Sequence, residues 1–146
     1  NYLSLIMPEK KKILSDCYVF LLSKAYQKGH QLVRKRLKPF GITNVQYVIL
    51  EMLWEKEGLT AVELGTQLKI DKATLSGILD RMTESGFLIK KQDDQDRRMV
   101  HLFPSKKVNR MKVQLTEERK SANEELLAGF TIEERVVLRR LLLEML

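Results

Sequence analysis

The chain is poor in cysteine, proline and glycine: its 146 residues include one, three and seven of them, respectively. The single cysteine, Cys17, rules out an internal disulfide framework and suits a reducing compartment such as the cytoplasm. No apolar run reaches membrane-spanning length, and the opening NYLSLIMPEKKK lacks the small-residue cleavage site of a signal peptide. Because helix breakers are so few, no repeats occur and most of the sequence shows helical spacing, a mostly α protein is expected. The lone cysteine favours a cytoplasmic location.

Signatures of catalysis are also missing from the sequence. It contains no glycine-rich phosphate loop, no nucleophile motif and no cluster of acid and base residues. His30 and His101 are far apart and make no ligand spacing with Cys17, so no metal site is predicted. We therefore expect neither an enzyme nor a bound cofactor.

Basic residues, in contrast, are abundant: 26 Lys and Arg outnumber 19 Asp and Glu, which gives a formal net charge of +7. Such an excess suits a polyanionic partner, although it promotes encounter without defining a function. The excess lies in HQLVRKRLK (residues 30–38) and SKKVNRMK (residues 105–112), which either face phosphates or only aid solubility. At this length, 44% apolar residues can form the core of one domain.

Helical spacing and three capping boxes predict most of the secondary structure. A first helix is expected over about residues 11–37, where LKPFG ends it. The boxes TNVQ, TAVE and TIEE begin at Thr43, Thr60 and Thr131, and each opens a helix. The helix after Thr43 is apolar nearly all round, which indicates central burial. A long helix is predicted over residues 105–128.

The TAVE helix and the next helix are separated by only two residues, Lys69 and Ile70. Asp71 can cap the second helix, and Gly86 can end it in a left-handed conformation. The apolar residues of the second helix fall on one face: Leu75, Ile78, Leu79 and Met82. Two helices joined by so short a turn form the arrangement that places a recognition helix in the major groove of DNA.

The opposite face of the second helix carries residues that we predict to bind DNA. They are Lys72, Ala73, Thr74, Ser76, Gly77 and Asp80. Small side chains allow close approach to base edges, the hydroxyl groups can bond bases or phosphates, and Lys72 leads the helix where a phosphate would be met. The alternative is an ordinary solvated face in a helical bundle.

Two short apolar segments, FLIKK and MVHLF, predict a β-hairpin whose tip is DDQDRR. Arg97 and Arg98 at this tip are placed to enter the neighbouring minor groove of DNA. Asp96 is expected to hold the guanidinium group of Arg98 through a charge-assisted hydrogen bond. Asp93 and Asp94 are interpreted as solvated residues of the hairpin tip.

Taken in order, these segments resemble the MarR family of winged helix regulators. The similarity rests on ITNVQYVILEMLWE, on LTAVELGTQLKIDKATLSGILDRMTESGFL and on the DQDRR wing, and it spans nearly the whole chain. It implies a single MarR-type chain that is mainly α with a small β-hairpin. In that chain a winged helix-turn-helix core at residues 43–104 is flanked by N- and C-terminal dimerisation helices at residues 11–42 and 105–146.

The resemblance also implies a function. Proteins of this family are homodimers that bind short palindromic operators, usually as repressors, and they often bind aromatic or other lipophilic anions. Asp96 and Arg98 match the family's wing, with Arg98 as the minor-groove residue, and residues 72–76 match the leading end of the recognition helix. Arg81 matches a frequent family arginine that can pair with Asp96, and it is not counted as a base reader.

The last helix favours a dimer independently of the resemblance. In RVVLRRLLLEML, seven aliphatic residues and Met145 crowd into one short helix, which is more than a single stripe can bury. A partner surface is the simplest explanation, and a compact monomer is the alternative. Two-fold symmetry would place two recognition helices about one DNA turn apart, facing an inverted repeat.

The resemblance raises two modes of regulation, a peroxide-sensing cysteine and an effector cleft. One branch of the family senses organic hydroperoxides through a cysteine on the first helix, but that position falls on Val19 here, so Cys17 is expected to be buried and unreactive. An effector cleft between the dimerisation helices and the DNA-binding lobe would be lined by Tyr18, Tyr26, Phe40 and Trp54. Alternatively, these aromatic residues belong to the core.

The predicted function is thus that of a dimeric, sequence-specific DNA-binding transcriptional regulator, a repressor that a small-molecule effector, if one exists, would release. Winged helices also bind proteins, so the alternative is an interaction module whose wing arginines contact an acidic partner. Such a module would show no preference for an inverted repeat and no loss of DNA affinity on Arg98→Ala.

Overall fold

The computed structural model describes residues 16–146. Six α-helices and three strands follow one another in this range. They are α1 (Tyr18–Leu37), α2 (Asn44–Glu55), β1 (Leu59–Thr60), α3 (Ala61–Leu68), α4 (Lys72–Glu84), β2 (Leu88–Gln92), β3 (Val100–Pro104), α5 (Lys106–Leu126) and α6 (Ile132–Glu144), with a 3-10 turn at Lys38–Phe40. Within the described residues, no helix is long and apolar enough to cross a membrane.

Helix α1 begins at Tyr18, later than the spacing predicts. Residues 11–15, and the opening segment for which no signal peptide is expected, lie outside the described part of the chain. Cys17 occupies the N-cap of α1 but makes no capping hydrogen bond, and its side chain is exposed. The prediction of a buried cysteine is therefore wrong, because Cys17 precedes the first turn and does not share the apolar stripe of the helix.

Local capping determines where four of the later helices begin. The three predicted boxes open α2, α3 and α6, and in each the threonine hydroxyl accepts the N–H of the residue three positions on. Ser105 caps α5 by accepting the N–H of Val108, and its hydroxyl donates to the carbonyl of Gly86 at 2.7 Å. The start of α5 is therefore bonded to Gly86, which lies between α4 and β2.

The hydrophobic core is centred on α2, as predicted. Four of its apolar side chains are fully enclosed, and α3, α4, the sheet and α5 pack around them. The core residues are Leu37, Ile42, Tyr47, Ile49, Leu50, Leu53, Leu59, Leu64, Leu75, Ile78, Leu79, Met82, Phe87, Leu88, Leu102, Val108 and Leu115. Because the inward stripe of α4 is part of this core, the rotation of α4 about its axis is fixed and its polar face points outward.

The strands form an antiparallel sheet in the order β1-β3-β2. The β2–β3 hairpin is confirmed, with Lys91 opposite His101. Strand β1 was not predicted, because two residues are too few to show an alternating pattern. It pairs with β3 on the side away from β2 and places Thr60 opposite His101.

Helix α5 is bound to both α1 and α2 by charged side chains. Arg36 on α1 donates to Glu118 at 3.2 Å and to Glu125 at 2.9 Å, both on α5. Arg119 of α5 donates to the hydroxyl of the buried Tyr47 on α2 at 3.2 Å. Arg36 therefore forms ion pairs within the protein, a role that neither interpretation of the HQLVRKRLK cluster included. Such pairing across more than 70 residues of sequence cannot be read from a local pattern.

Candidate nucleic-acid interface

The turn between α3 and α4 has a defined backbone geometry. Lys69 adopts a left-handed conformation with φ of 52°, which lets the N–H of Ile70 donate to the carbonyl of Gly65 at 3.1 Å. A Cβ atom on Gly65 would lie only 3.3 Å from the carbonyl oxygen of Ile70. Asp71 then accepts the N–H of Thr74 at 2.9 Å, and this bonding to Thr74 lowers the pKa of Asp71. The α3–α4 angle is thus set by hydrogen bonds at the turn.

The outward face of α4 is small and polar. Of the residues predicted to bind DNA, those exposed on this helix are Lys72, Ala73, Thr74, Ser76 and Asp80, and Gly77 is half-buried. A Cβ atom on Gly77 would come no closer than 3.5 Å to another side chain, that of Arg81, which is an ordinary contact. Packing within the chain therefore leaves room for a Cβ atom at Gly77.

Lys90 of β2 also lies beside this face, although it was not selected from the sequence. Its ammonium group lies 2.7 Å from Oδ1 of Asp80, so β2 and α4 are joined by an ion pair on the surface. The carboxylate of Asp80 is thereby balanced by a cation. The sequence places Lys90 in the predicted strand FLIKK but does not indicate its partner. The pairing with Asp80 depends on how the hairpin folds back against α4.

The wing presents Arg98 to solvent at its tip, with 95% of the side chain exposed. Oδ1 of Asp96 accepts the backbone N–H of Arg98 at 3.0 Å and lies 3.6 Å from Nε of the same residue. The predicted hydrogen bond from the guanidinium group is thus replaced by a backbone hydrogen bond and a looser ion pair. Arg97 is exposed beside it. Arg81 makes no ion pair with Asp96 in the described part of the chain, and its guanidinium group lies near Gly77.

Asp93 organises the wing loop, so its interpretation as a merely solvated residue is wrong. Its Oδ1 accepts the N–H groups of Gln95 at 2.8 Å and Asp96 at 2.9 Å, while Oδ2 lies 3.0 Å from Nε2 of His101. The first two contacts form a local turn that the sequence permits, since aspartate commonly bonds the backbone two residues on. Asp94 is exposed, as predicted.

The four aromatic residues of the predicted effector cleft are dispersed within one chain. Tyr18 and Tyr26 are exposed on α1, and Phe40 packs at the edge of the core. Trp54 lines a surface groove of about 460 Å³ between α2 and α5, which contains none of the other three. Its indole N–H donates to Asn109 at 2.8 Å. The single chain therefore does not bring the four residues together in one cleft.

Helices α1 and α6 expose apolar side chains that a folded domain normally covers. No residue of α6 is buried in the single chain. The large exposed apolar residues on these two helices and beside them are Tyr18, Val19, Leu21, Leu22, Tyr26, Phe130, Ile132, Val136, Val137, Leu141, Leu142, Leu143, Met145 and Leu146. Exposed apolar side chains in this number are unusual for the surface of an isolated domain.

These elements define a winged helix-turn-helix protein. Residues 42–100 match the MarR family. The HTH-type transcriptional regulator YybA of Bacillus subtilis is 30% identical over 105 residues, which cover 72% of this chain and 70% of YybA. The organic hydroperoxide resistance transcriptional regulator of the same species is 36% identical over 87 residues, covering 60% of this chain and 59% of that regulator. The chain belongs to the MarR family of transcriptional regulators.

Solved structures share the whole arrangement of helices and wing. A variant of MarR from E. coli in complex with operator DNA superposes with a TM-score of 0.83 at 24% identity, covering 92% of this chain and 99% of that chain. BpsR from Bordetella bronchiseptica, whose DNA binding is regulated by 6-hydroxynicotinic acid, has a TM-score of 0.83 at 24% identity, covering 90% and 94%. At this identity the similarity establishes the fold.

Proposed function

We propose that the protein acts in the cytoplasm as a homodimeric repressor of a short palindromic operator. Each protomer places α4 in the major groove and Arg98 in the flanking minor groove. One observation supports this most strongly: the exposed guanidinium group of Arg98 stands on a wing ordered by Asp93 and Asp96, beside a recognition helix with a small, polar outward face. Arginine is favoured in a narrow minor groove because the negative potential is concentrated there.

The exposed apolar surfaces of α1 and α6 support the dimer. Burial of these side chains against a second copy would provide the hydrophobic stabilisation that one chain leaves unused. In a two-fold dimer both recognition helices face the same side of the duplex, which suits an inverted repeat. The alternative monomer would have to leave nearly all of α6 in water.

A small-molecule effector would release the repressor from its operator. The fold is shared with BpsR, which a small aromatic acid regulates, and the dimerisation helices of this chain offer Tyr18 and Tyr26 to a cleft that a partner would complete. A ligand there would act by favouring a dimer in which the spacing of the recognition helices no longer matches the operator.

Capture of genomic DNA by the purified protein tests the proposal. Sheared genomic fragments are incubated with the wild type at near-physiological salt, and the retained fragments are sequenced. Arg98→Ala and Ser76→Arg are analysed in parallel. Lys120→Ala is the control, because it removes an exposed positive charge from α5, outside the wing and outside both basic clusters.

The wild type and Lys120→Ala should both enrich one short inverted repeat. Arg98→Ala should lose that enrichment, and Ser76→Arg should change or abolish the sequence preference. Retention of random DNA, or unchanged selection by both variants, would contradict the proposal. Those outcomes would favour the protein-interaction module, in which Arg98 contacts an acidic protein.

A further inference from the structure

His101 has an oxygen partner on each of its ring nitrogens. Nδ1 lies 2.7 Å from the carbonyl oxygen of Gly58, and Nε2 lies 3.0 Å from Oδ2 of Asp93. The side chain is only 27% exposed. Gly58 lies in the turn between α2 and β1, whereas Asp93 begins the wing loop. The histidine therefore connects the body of the lobe to the wing.

The connection continues through the wing loop to Arg98. The carboxylate of Asp93 bonds the N–H groups of Gln95 and Asp96 with its other oxygen. Asp96 in turn accepts the backbone N–H of Arg98 and pairs loosely with its guanidinium group. A continuous series of polar contacts thus runs from the carbonyl of Gly58 to the tip of the wing.

The two contacts of His101 depend on its protonation state. A carbonyl and a carboxylate only accept hydrogen bonds, so both contacts are hydrogen bonds only when each ring nitrogen carries a proton, which makes the ring a cation. The contact with the Gly58 carbonyl and then the bond to Asp93 raise the pKa of His101. The backbone N–H groups of Asp96 and Gln95, followed by His101, lower the pKa of Asp93.

The other charged groups near the ring belong to neighbouring elements. Glu63 on α3 also raises the pKa of His101, although its own charge is shared with Lys56 at 3.9 Å. Lys91 is the cross-strand neighbour on β2, but its ammonium group lies over the ring of Phe103, 5.0 Å from the centroid. The two carboxylates thus favour the cation, and Lys91 is directed to the aromatic ring.

We propose that His101 is a positioning residue for DNA binding: through Asp93 it fixes the wing loop in the conformation that presents Arg98. This inference rests on the proposed function. A wing that is ordered before it meets DNA loses less conformational entropy on binding, so the affinity for the operator is higher.

The sign of the pH dependence follows from the raised pKa. The link is fully formed below the ordinary histidine pKa of about 6.5. As the pH rises through the higher pKa of the folded protein, the ring keeps one proton and can donate to only one of its two partners, so the connection from Gly58 to Asp93 is broken. Operator affinity should fall over the same window.

The first test needs no DNA. The pKa of His101 is measured by NMR in the full chain, in the wild type and in Asp93→Asn, while the amide signals of Gln95 and Asp96 are followed. We expect the wild-type ring to titrate above 6.5, the amide signals to shift with the same midpoint, and the pKa to be lower in Asp93→Asn. A ring that titrates at the ordinary value in both proteins would overturn the link.

The second test measures affinity for a captured operator from about pH 5.5 to 8.5, a range that spans the histidine titration. The wild type should weaken as pH rises, roughly threefold to tenfold, as expected for a single lost hydrogen bond. The operator affinity of His101→Gln should be low and should not change with pH across this range. The matched control, His30→Gln on α1, should keep the wild-type profile.

The double variant His101→Gln/Arg98→Ala distinguishes positioning of Arg98 by His101 from direct contact between His101 and DNA. Because His101 acts through Arg98, His101→Gln should weaken the Arg98→Ala variant no further. Additive losses, or a wild-type pH profile in His101→Gln, would overturn the positioning role. Failure to capture any operator would overturn the DNA-binding function itself, whereas the NMR titration still decides whether the link to the wing exists.

Discussion

The ammonium group of Lys90 lies 2.7 Å from the carboxylate of Asp80, so a strand of the wing is tied to the outward face of the recognition helix. The pair is solvent-exposed on both sides, and such pairs contribute only about 0 to 1 kcal/mol to folding stability. Its main effect is therefore on the charge that the protein presents to DNA.

Asp80→Asn should strengthen DNA binding. The substitution removes a negative charge from the interface and frees Lys90 to meet a phosphate, so affinity should rise and the salt dependence should steepen by up to about one phosphate contact. Fluorescence anisotropy titrations over a range of salt concentrations measure both effects. Glu84→Gln, at the end of the same helix, is the matched control and should change little. Weaker operator binding by Asp80→Asn would instead indicate that Asp80 accepts a hydrogen bond from a base.

Gly77→Ala should make the protein more stable and its binding to DNA weaker. The free energy of unfolding should increase by about 0.5 to 1 kcal/mol, because alanine is the better helix former and the site has room for a Cβ atom. Operator affinity should fall, since the methyl group occupies space where α4 approaches the bases.

Denaturant titration and operator binding assays check these two effects. The control is Gly65→Ala, where the new Cβ would press on the carbonyl of Ile70 at 3.3 Å, so the stability gain should be absent. If Gly77→Ala binds the operator as tightly as the wild type, then α4 does not approach the bases at that residue.

Leu143→Glu should dissociate the dimer. Leu143 is 57% exposed on α6, in the apolar surface assigned to the partner, and a buried carboxylate without a cation opposes association. Sedimentation equilibrium should show a shift from dimer to monomer. Val62→Glu changes an equally apolar, 77% exposed residue on α3 and should remain dimeric. A monomeric wild type, or a Leu143→Glu variant that stays dimeric, would refute this interface.

Cys17→Ser should leave DNA binding and the response to peroxide unchanged. The cysteine is exposed and precedes α1, and we predict from the sequence that the family's peroxide-sensing position falls on Val19. Operator binding is measured before and after treatment with an organic hydroperoxide in both proteins. Peroxide-induced release of the wild type that is absent from Cys17→Ser would show that the thiol is a sensor.

The elements that could be predicted from sequence are those fixed by local interactions. The capping boxes at Thr43, Thr60 and Thr131 place donor and acceptor three residues apart, and the apolar stripe of α4 has helical periodicity, so both are visible in the sequence. The location of Arg97 and Arg98 at the hairpin tip could be predicted because a charged segment separates two apolar segments.

The contacts that could not be predicted join residues distant in the chain. His101 meets Gly58 across 43 residues, and Arg36 meets Glu118 across 82, so neither pair has a local signature. Lys90 is ten residues from Asp80, but their contact depends on the packing of the hairpin against α4. The exposure of Cys17 was missed because a helix was expected to begin before it.

Variation of the operator spacing tests whether the two α4 helices of one dimer bind the inverted repeat together. Purified protein is titrated against duplexes that carry the captured inverted repeat, the same repeat with five base pairs inserted at its centre, or a single half-site. A dimer with two recognition helices about one turn of DNA apart should bind the intact repeat with two protomers per duplex, and should lose most of its affinity when the insertion rotates one half-site by half a turn. Equal affinity for all three duplexes would contradict paired recognition by α4.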